Sequence, residues 1–469
     1  MALLLLLLAT AAPHALAKAV PLSSSVMIFS NEDFDTRCPQ LLQAAATHGS
    51  NSVNIVPTFY WIDDRFRELP RTCNPDGWAA SSKVDSYCYY QAGKEGCQPW
   101  TKKAVAEATR GFASCLTLAF DLFDEVLISP HLDDGTRTSH WRNMLIFDPL
   151  SPDVNGFSYY DIMIRPITRA ATSALSQKRA GHKAKTFWFA MQGEMGGTVF
   201  HHPQSYITIA SMIRADLKRV SATVLVGVLL NHAYLPGVVN RGPDAPPFPL
   251  PGTPLAPLSG GWGPLLPFDE WPGSARIAAG LPAARVLLRS VVDFMGISNY
   301  NRAPADVTVD DMENAVAKYD AELAAMGINF LDVLKSGKKF IYNEVAIGGG
   351  VSECGNVSAT EPWQVGRYPW MGIFSGYKKA LDPFKTFMPS DADVPARSYM
   401  RSWYSSLLKV LAQGGVKYPV SGSYIWNCAS WDVQGIFTRS GEGSYADPLT
   451  VDRIQKHNAA AAAEAKRGA

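Results

Sequence analysis

The chain has 469 residues, 47% of them hydrophobic and only 18% charged, a composition that supports a large buried core and excludes a disordered chain. Forty-three Lys and Arg against forty-two Asp and Glu leave a formal net charge of +1 with no long run of either sign. The basic stripe that a nucleic-acid partner needs is therefore missing.

Residues 1–17, MALLLLLLATAAPHALA, form an apolar run ending in Ala15-Leu16-Ala17, the small-x-small pattern of a cleaved signal peptide. A stable membrane anchor needs roughly 20 apolar residues, and Pro13 and His14 interrupt this one earlier. The expectation is a secreted, extracellular chain with no stable membrane anchor, and seven cysteines fit that compartment.

Beyond the leader, short β-branched or aromatic runs alternate with long amphipathic stretches. SVMIFS (25–30) reads as a strand followed by the helix FDTRCPQLLQAAATHG, and SVNIVPTFYW (52–61) as a second strand. Its helix, WTKKAVAEATRGFASCLTLAFDLF, follows a polar insertion carrying Cys73, Cys88 and Cys97. EVLISPHLDD (125–134) is a third strand, with a helix around YYDIMIRPITRAATSALSQKRAGH, and TFWFAMQGEMGG (186–197) contains the fourth, with PQSYITIASMIRADLKRVS behind it. ATVLVGVLLNH (222–232) is the fifth, followed by a Pro/Gly-rich insertion over 236–273 that contains Trp262 and Trp271. ARIAAGLPAARVLLRSV is its helix, and VDFMGISNY (292–300) is the sixth strand, with a long helix behind it. KKFIYNEVAIGGG (338–350) is the seventh, ARSYMRSWYSSLLKVLAQGG its helix, and VSGSYIWNCASWDVQG (420–435) the eighth.

Eight strand–helix units predict an α/β fold, a closed (β/α)8 barrel in one domain over 18–458, with an alanine-rich tail at 459–469. The runs at 125, 222 and 338 are nearly continuously apolar, as strands buried on both faces should be. An open doubly wound sheet is the competing architecture, but no strand-to-helix turn carries a Gly-x-Gly-x-x-Gly phosphate loop.

The clustered cysteines include no Cys-x-x-Cys pair and no spaced histidines, which favours a disulfide-stapled loop over zinc. Cys38 is expected to join that cluster, Cys354 to pair with Cys428, and Cys115, in an apolar helical stretch, to be a buried free thiol. Asn356 begins the one glycosylation sequon, NVS.

In such a barrel the active site is built from the C-terminal ends of the strands. Those ends carry Tyr60 and Trp61, His131 and Asp133, Gln192 and Glu194, Asn231 and His232, Asn299 and Tyr300, Asn343 and Glu344, and Trp426, Asn427 and Trp431. A single glutamate there is by default a solvated loop residue. Two of them, Glu194 and Glu344, on strands four and seven, make a carboxylate pair of the kind that hydrolyses a glycosidic bond, one protonating the leaving oxygen while the other attacks. The surrounding aromatic rings, amides and imidazoles suit sugar faces and hydroxyls. Trp61, Tyr60, His131, Asp133, Gln192, His232 and Trp431 are the candidate substrate-binding residues among them. His131 and Asp133 also admit a reading as metal ligands, with a hydrogen-bonded rim as the more economical one because no second cluster completes a shell.

This layout resembles the clan A retaining glycoside hydrolases, whose acid/base glutamate ends strand four and whose nucleophile ends strand seven. SPHLDDG, the following Trp141 and the helix entry GFSYYDIM are most similar to the β-mannanase-like group, and the likeness spans residues 25 to about 440. The resemblance implies Glu194 as acid/base and Glu344 as nucleophile, Tyr300 and Asn299 as catalytic support, and Trp426 as the floor of the reactive-sugar subsite. It implies a carbohydrate substrate, with a β-mannan as first choice, no metal, no cofactor and a monomer. One position departs from the pattern. Members usually carry Asn before the acid/base glutamate, and here Gly193 stands there, leaving Gln192, His131 or Asn299 to take over its role. If none does, the alternative is a non-catalytic carbohydrate-binding barrel.

Overall fold

The computed structural model describes residues 18–29, 31–66, 83–91, 93–136, 141–176, 182–242, 263–301, 303–304, 306–347, 395–426 and 447–467. Eight parallel strands, Leu22–Ile28, Ser52–Ile62, Glu125–Ile128, Thr186–Gly193, Thr223–Asn231, Phe294–Asn299, Lys339–Val345 and Gly422–Ile425, pair each with the next. The eighth returns to the first through Leu22↔Ser423, so the sheet closes into a barrel. Each strand is followed by a helix, the first being Asn31–Ala46 and the last Pro448–Arg467.

Alternation along the strands divides their side chains between two environments. Leu127, Trp188, Ala190, Leu229, Phe294, Ile341 and Tyr424 cluster with one another inside the barrel. Their neighbours along the same strands, among them Val126, Phe187, Phe189, Val228, Met295 and Phe340, pack against the helices. Being buried on both faces is why these segments read as continuous apolar runs. Nearer the C-terminal ends the interior turns polar. Asn54 donates to Ser25 Oγ (3.1 Å) and to the Asn343 carbonyl (3.2 Å), Ser129 Oγ donates to Asn54 Oδ1 (2.7 Å), and Asn343 donates to Ser298 Oγ (3.2 Å). This bonded layer lets Glu344 sit above an interior that tolerates polar groups.

The third strand departs from the sequence expectation. It breaks after Ile128 and resumes as His131–Asp134, which pairs with the second strand through Thr58↔His131. Pro130 lies in the break and has no N–H for the ladder.

The cysteine pairing also differs from expectation. Cys115 is not a free thiol: it is bonded to Cys38, joining the helices Asn31–Ala46 and Lys102–Leu122 across Cα atoms 5.8 Å apart. These helices follow adjacent strands, so their packed faces bring the two buried cysteines together. Cys88 pairs with Cys97 and closes the hairpin of Ser86–Tyr89 with Gln98–Pro99. Cys73, Cys354, Cys428, the Asn356 sequon, Trp262, Trp431 and the leader lie outside the described residues.

Through Arg467 the alanine-rich tail continues the helix Pro448–Arg467. Asn458 accepts from Leu22 N (2.8 Å) and donates to the Leu22 and His48 carbonyls (3.0 and 2.9 Å), pinning the start of the first strand. In the insertion after strand five, Trp271 is buried and donates to the Leu266 carbonyl (2.8 Å), a packing role. The buried pair Arg241–Glu322 (3.0 Å), with Tyr234 and Leu235 N–H on the same carboxylate, ties this insertion to the helix Asn314–Ala325. Among the described residues, no helix is long and apolar enough to cross a membrane.

Candidate active site

Both glutamates stand where their strand departs from regular pairing. Register shifts between Ala190 and Gly193 on the fourth strand, and between Tyr342 and Glu344 on the seventh. Such irregularities re-aim a side chain and recur beside active sites. Glu194 goes further, adopting a left-handed φ of 57°, a conformation that costs a non-glycine residue about 1–3 kcal/mol. The cost is met by bonds on each side. Gly193 N donates to Pro130 O (2.7 Å), Glu194 N to Leu229 O (3.1 Å), and Met195 N to Gln192 Oε1 (2.8 Å).

Glycine at 193 and 196 has a steric reason. A Cβ on Gly196 would lie 2.0 Å from the Leu235 carbonyl, because the fourth-strand turn packs directly against the loop after strand five. A Cβ on Gly193 would lie 2.3 Å from His131 Cδ2 and 2.6 Å from its Nε2. The imidazole of His131 thus occupies the volume that a side chain at 193 would fill.

Glu194 is almost fully buried, and both of its carboxylate oxygens accept hydrogen bonds. Asn231 Nδ2 donates to Oε1 (2.6 Å) and Arg142 Nη1 to Oε2 (2.5 Å). The Asn231 amide is oriented by His232 N–H on its Oδ1 (2.7 Å). Arg142 sits in the short turn Arg142–Met144 that follows the third strand. It is tethered from the other side by Asp133 Oδ1 (2.7 and 3.1 Å) and the Leu132 carbonyl (3.3 Å). Asn143 next to it accepts from Gly196 N (3.1 Å) and donates to Tyr234 O (2.7 Å), so loops three, four and five form one unit. Burial and the charge of Glu344 raise the Glu194 pKa, while Arg142 opposes both.

Glu344 has a different set of partners. Tyr300 OH donates to its Oε2 (2.8 Å), and His131 Nε2 lies 3.0 Å from Oε1, out of line for a hydrogen bond. Burial pushes Glu344 up to about 7, against the pull of Arg142 and the hydroxyl of Tyr300. His131 is stacked on Trp426, ring centroids 5.4 Å apart at 25°, and burial together with the charge of Arg142 drives its pKa down to about 3, so it is neutral. Neither His131 ring nitrogen, nor Trp426 Nε1, nor Gln192 Nε2 has a hydrogen-bond partner among the described residues, although all are buried. Buried donors and acceptors of this kind at a strand-end cleft are what a polyhydroxylated ligand satisfies.

The structure therefore brings together Glu194, Glu344, Tyr300, His131, Asp133 and Trp426. Gln192 supports the turn from beneath, and His232 packs edge-on to Tyr300 at 6.0 Å. Three expected site residues are placed elsewhere. Asn299 donates to Met312 O (3.3 Å) and accepts from Asn301 (2.8 Å), fixing the loop after strand six. Trp61 is buried in the main core, and Tyr60 packs edge-on against Tyr90 (4.6 Å) beside the Cys88–Cys97 hairpin. Arg142 and Asn231 bond Glu194 directly, and the sequence alone assigns a role to neither. As for metal binding, Asp133 is paired with Arg142 and His131 faces Glu344, and no group of three possible ligands exists among the described residues.

No family model and no curated protein matches this sequence. Several solved structures are similar to it. A GH113 β-1,4-mannanase shares 11% identity at a TM-score of 0.44, covering 94% of this chain and 99% of that one. A fungal β-1,4-galactanase shares 10% at 0.37, covering 93% and 99%. An exo-β-1,4-mannosidase from Opitutaceae bacterium strain TAV5 shares 11% at 0.37, covering 95% of this chain and 60% of that one.

Proposed function

We propose that the barrel is a secreted, retaining β-glycoside hydrolase. The observation that carries this reading is the pair of buried glutamates at the distorted ends of strands four and seven, within electrostatic reach of each other, one held by Tyr300 beneath the Trp426–His131 stack. Glu344, ionised, attacks the anomeric carbon of a sugar seated over Trp426, while Glu194 gives its proton to the departing glycosidic oxygen. Water deprotonated by Glu194 then releases the sugar from Glu344, and the stereochemistry at the anomeric carbon is retained. This requires the carboxyl groups to stand about 5–5.5 Å apart across the bond. No cofactor enters these steps.

His131 takes the place of an amide side chain at 193 as the neutral group beside the nucleophile, positioned to bond a hydroxyl of the reacting sugar. The sequence resemblance makes a β-mannan the first substrate to test. A panel of β-linked mannan, glucan, galactan and xylan, incubated with the wild type and with Glu344→Gln, should show hydrolysis by the wild type alone. Sugar binding by the wild type without hydrolysis of any member would establish a binding barrel instead.

A further inference from the structure

The contact of Arg142 with Glu194 assigns this arginine a part in the proposed reaction. A general acid must donate, yet both oxygens of Glu194 accept, from Asn231 and from a guanidinium. Arg142 is itself only 13% exposed, and three further hydrogen bonds to Leu132 and Asp133 fix its orientation. A short charge-assisted bond of this kind stabilises the ionised carboxylate. We propose that Arg142, tethered by Asp133, is a positioning residue that holds Glu194 as a hydrogen-bond acceptor in the resting site, so that Glu194 becomes a proton donor only when this guanidinium is drawn off toward Asp133.

The chain's own groups make the switch balanced. When Arg142 leaves Oε2, Asp133 remains as its counter-charge, so no buried cation is stranded. Glu194 then takes one proton from solvent and hands that same proton to the leaving oxygen. The groups facing Glu194 are Arg142, Asp133 and His131 from the third-strand side and Glu344 from the seventh strand, with Tyr300 and His232 behind Glu344. His131 is neutral above acidic pH, which leaves Arg142 as the cation that sets the balance.

The inference rests on Glu194 being the acid/base, but its test reads the carboxyl itself. Carbon-13 labelled glutamate in the full chain without substrate gives a titration for Glu194, assigned by its loss in Glu194→Gln. Arg142→Gln should move that titration up by about 1–3 units, and Arg142→Lys should leave it near the wild type. Asp133→Asn, which leaves the guanidinium undivided on Glu194, should move it down. The opposite signs are the signature, and if Arg142→Gln does not fold, the downward shift in Asp133→Asn decides. An unchanged Glu194 titration in these variants overturns the proposal, whereas absence of glycan hydrolysis sinks the enzymatic reading and leaves this titration intact. With activity present, the alkaline limb of kcat/KM in Arg142→Gln should extend upward by the same amount as the titration.

Discussion

Glu194 and Glu344 are chemically identical side chains at equivalent strand ends of one barrel, and their surroundings differ in kind. Glu194 sits on a left-handed turn, charge-paired to a tethered arginine and bonded by an amide. Glu344 sits on the seventh strand, 1% exposed, with a phenol on one oxygen and a neutral imidazole beside the other. Burial destabilises the charge of both, but a cation in contact opposes this at Glu194, whereas Glu344 is held by neutral donors. Two carboxyls whose environments push their affinities for protons apart are what an acid/base and nucleophile pair requires. The charge-assisted bond from Arg142 favours the ionised form of Glu194, which is why its withdrawal is a step of the proposed reaction.

The largest expected effect separates the two roles through the leaving group. Glu194→Gln should lower turnover of a natural glycan by about 10²–10⁴-fold and recover most of it on a p-nitrophenyl glycoside, whose leaving group needs no proton. Glu344→Gln should be inactive on both. Equal losses on both substrates in the two variants would erase the distinction between the glutamates.

Stability should change by different amounts in the same two variants. The folded chain binds a proton at Glu344 more tightly than the unfolded chain, about 7 against an ordinary 4.5. The penalty for ionising it is absent below about 4.5, grows as pH rises, and is complete above about 7. Glu344→Gln should therefore unfold less readily than the wild type at pH 8, by on the order of 3 kcal/mol, and gain nothing at pH 4. Glu194 is raised as well, but Arg142 opposes the rise and Glu194→Gln gives up that charged partner, so it should gain less at pH 8 than Glu344→Gln. Denaturant melts at both pH values check the order, and an equal or larger gain in Glu194→Gln at pH 8 would contradict the contrast.

A smaller effect is expected at Gly193. Gly193→Ala places a methyl against the His131 ring and should cost about 1–3 kcal/mol, while His131→Ala in the same chain should relieve most of that cost. A double-mutant cycle with no coupling would mean that the imidazole does not fill this space.

Most of the barrel was legible because its strands are buried on both faces, and such runs stand out whatever their partners. The glutamate pair was legible from the same count, since strand number alone places residues 194 and 344 at one mouth. Side-chain direction was not. Tyr60 and Trp61 end the second strand as expected, but their rings are taken up by the hairpin and the core, and the Asn299 amide is taken up by the loop after strand six. Arg142 escaped because it lies in an irregular turn with no periodicity to anchor it, and its role exists only through contacts with residues 133 and 194. The Cys38–Cys115 bond was missed for a related reason. A helix interior looks like an apolar site for a thiol until the facing helix is known. Gly193, by contrast, was visible as a departure, and its meaning appeared only when His131 was seen in the space it leaves.

Double displacement is read most directly from the stereochemistry of the first product. Proton NMR of a β-linked glycan during the first turnovers by the wild type should show the β-anomer forming first and equilibrating later to the α-anomer. Initial release of the α-anomer would place water, not Glu344, at the anomeric carbon and contradict the double displacement proposed here.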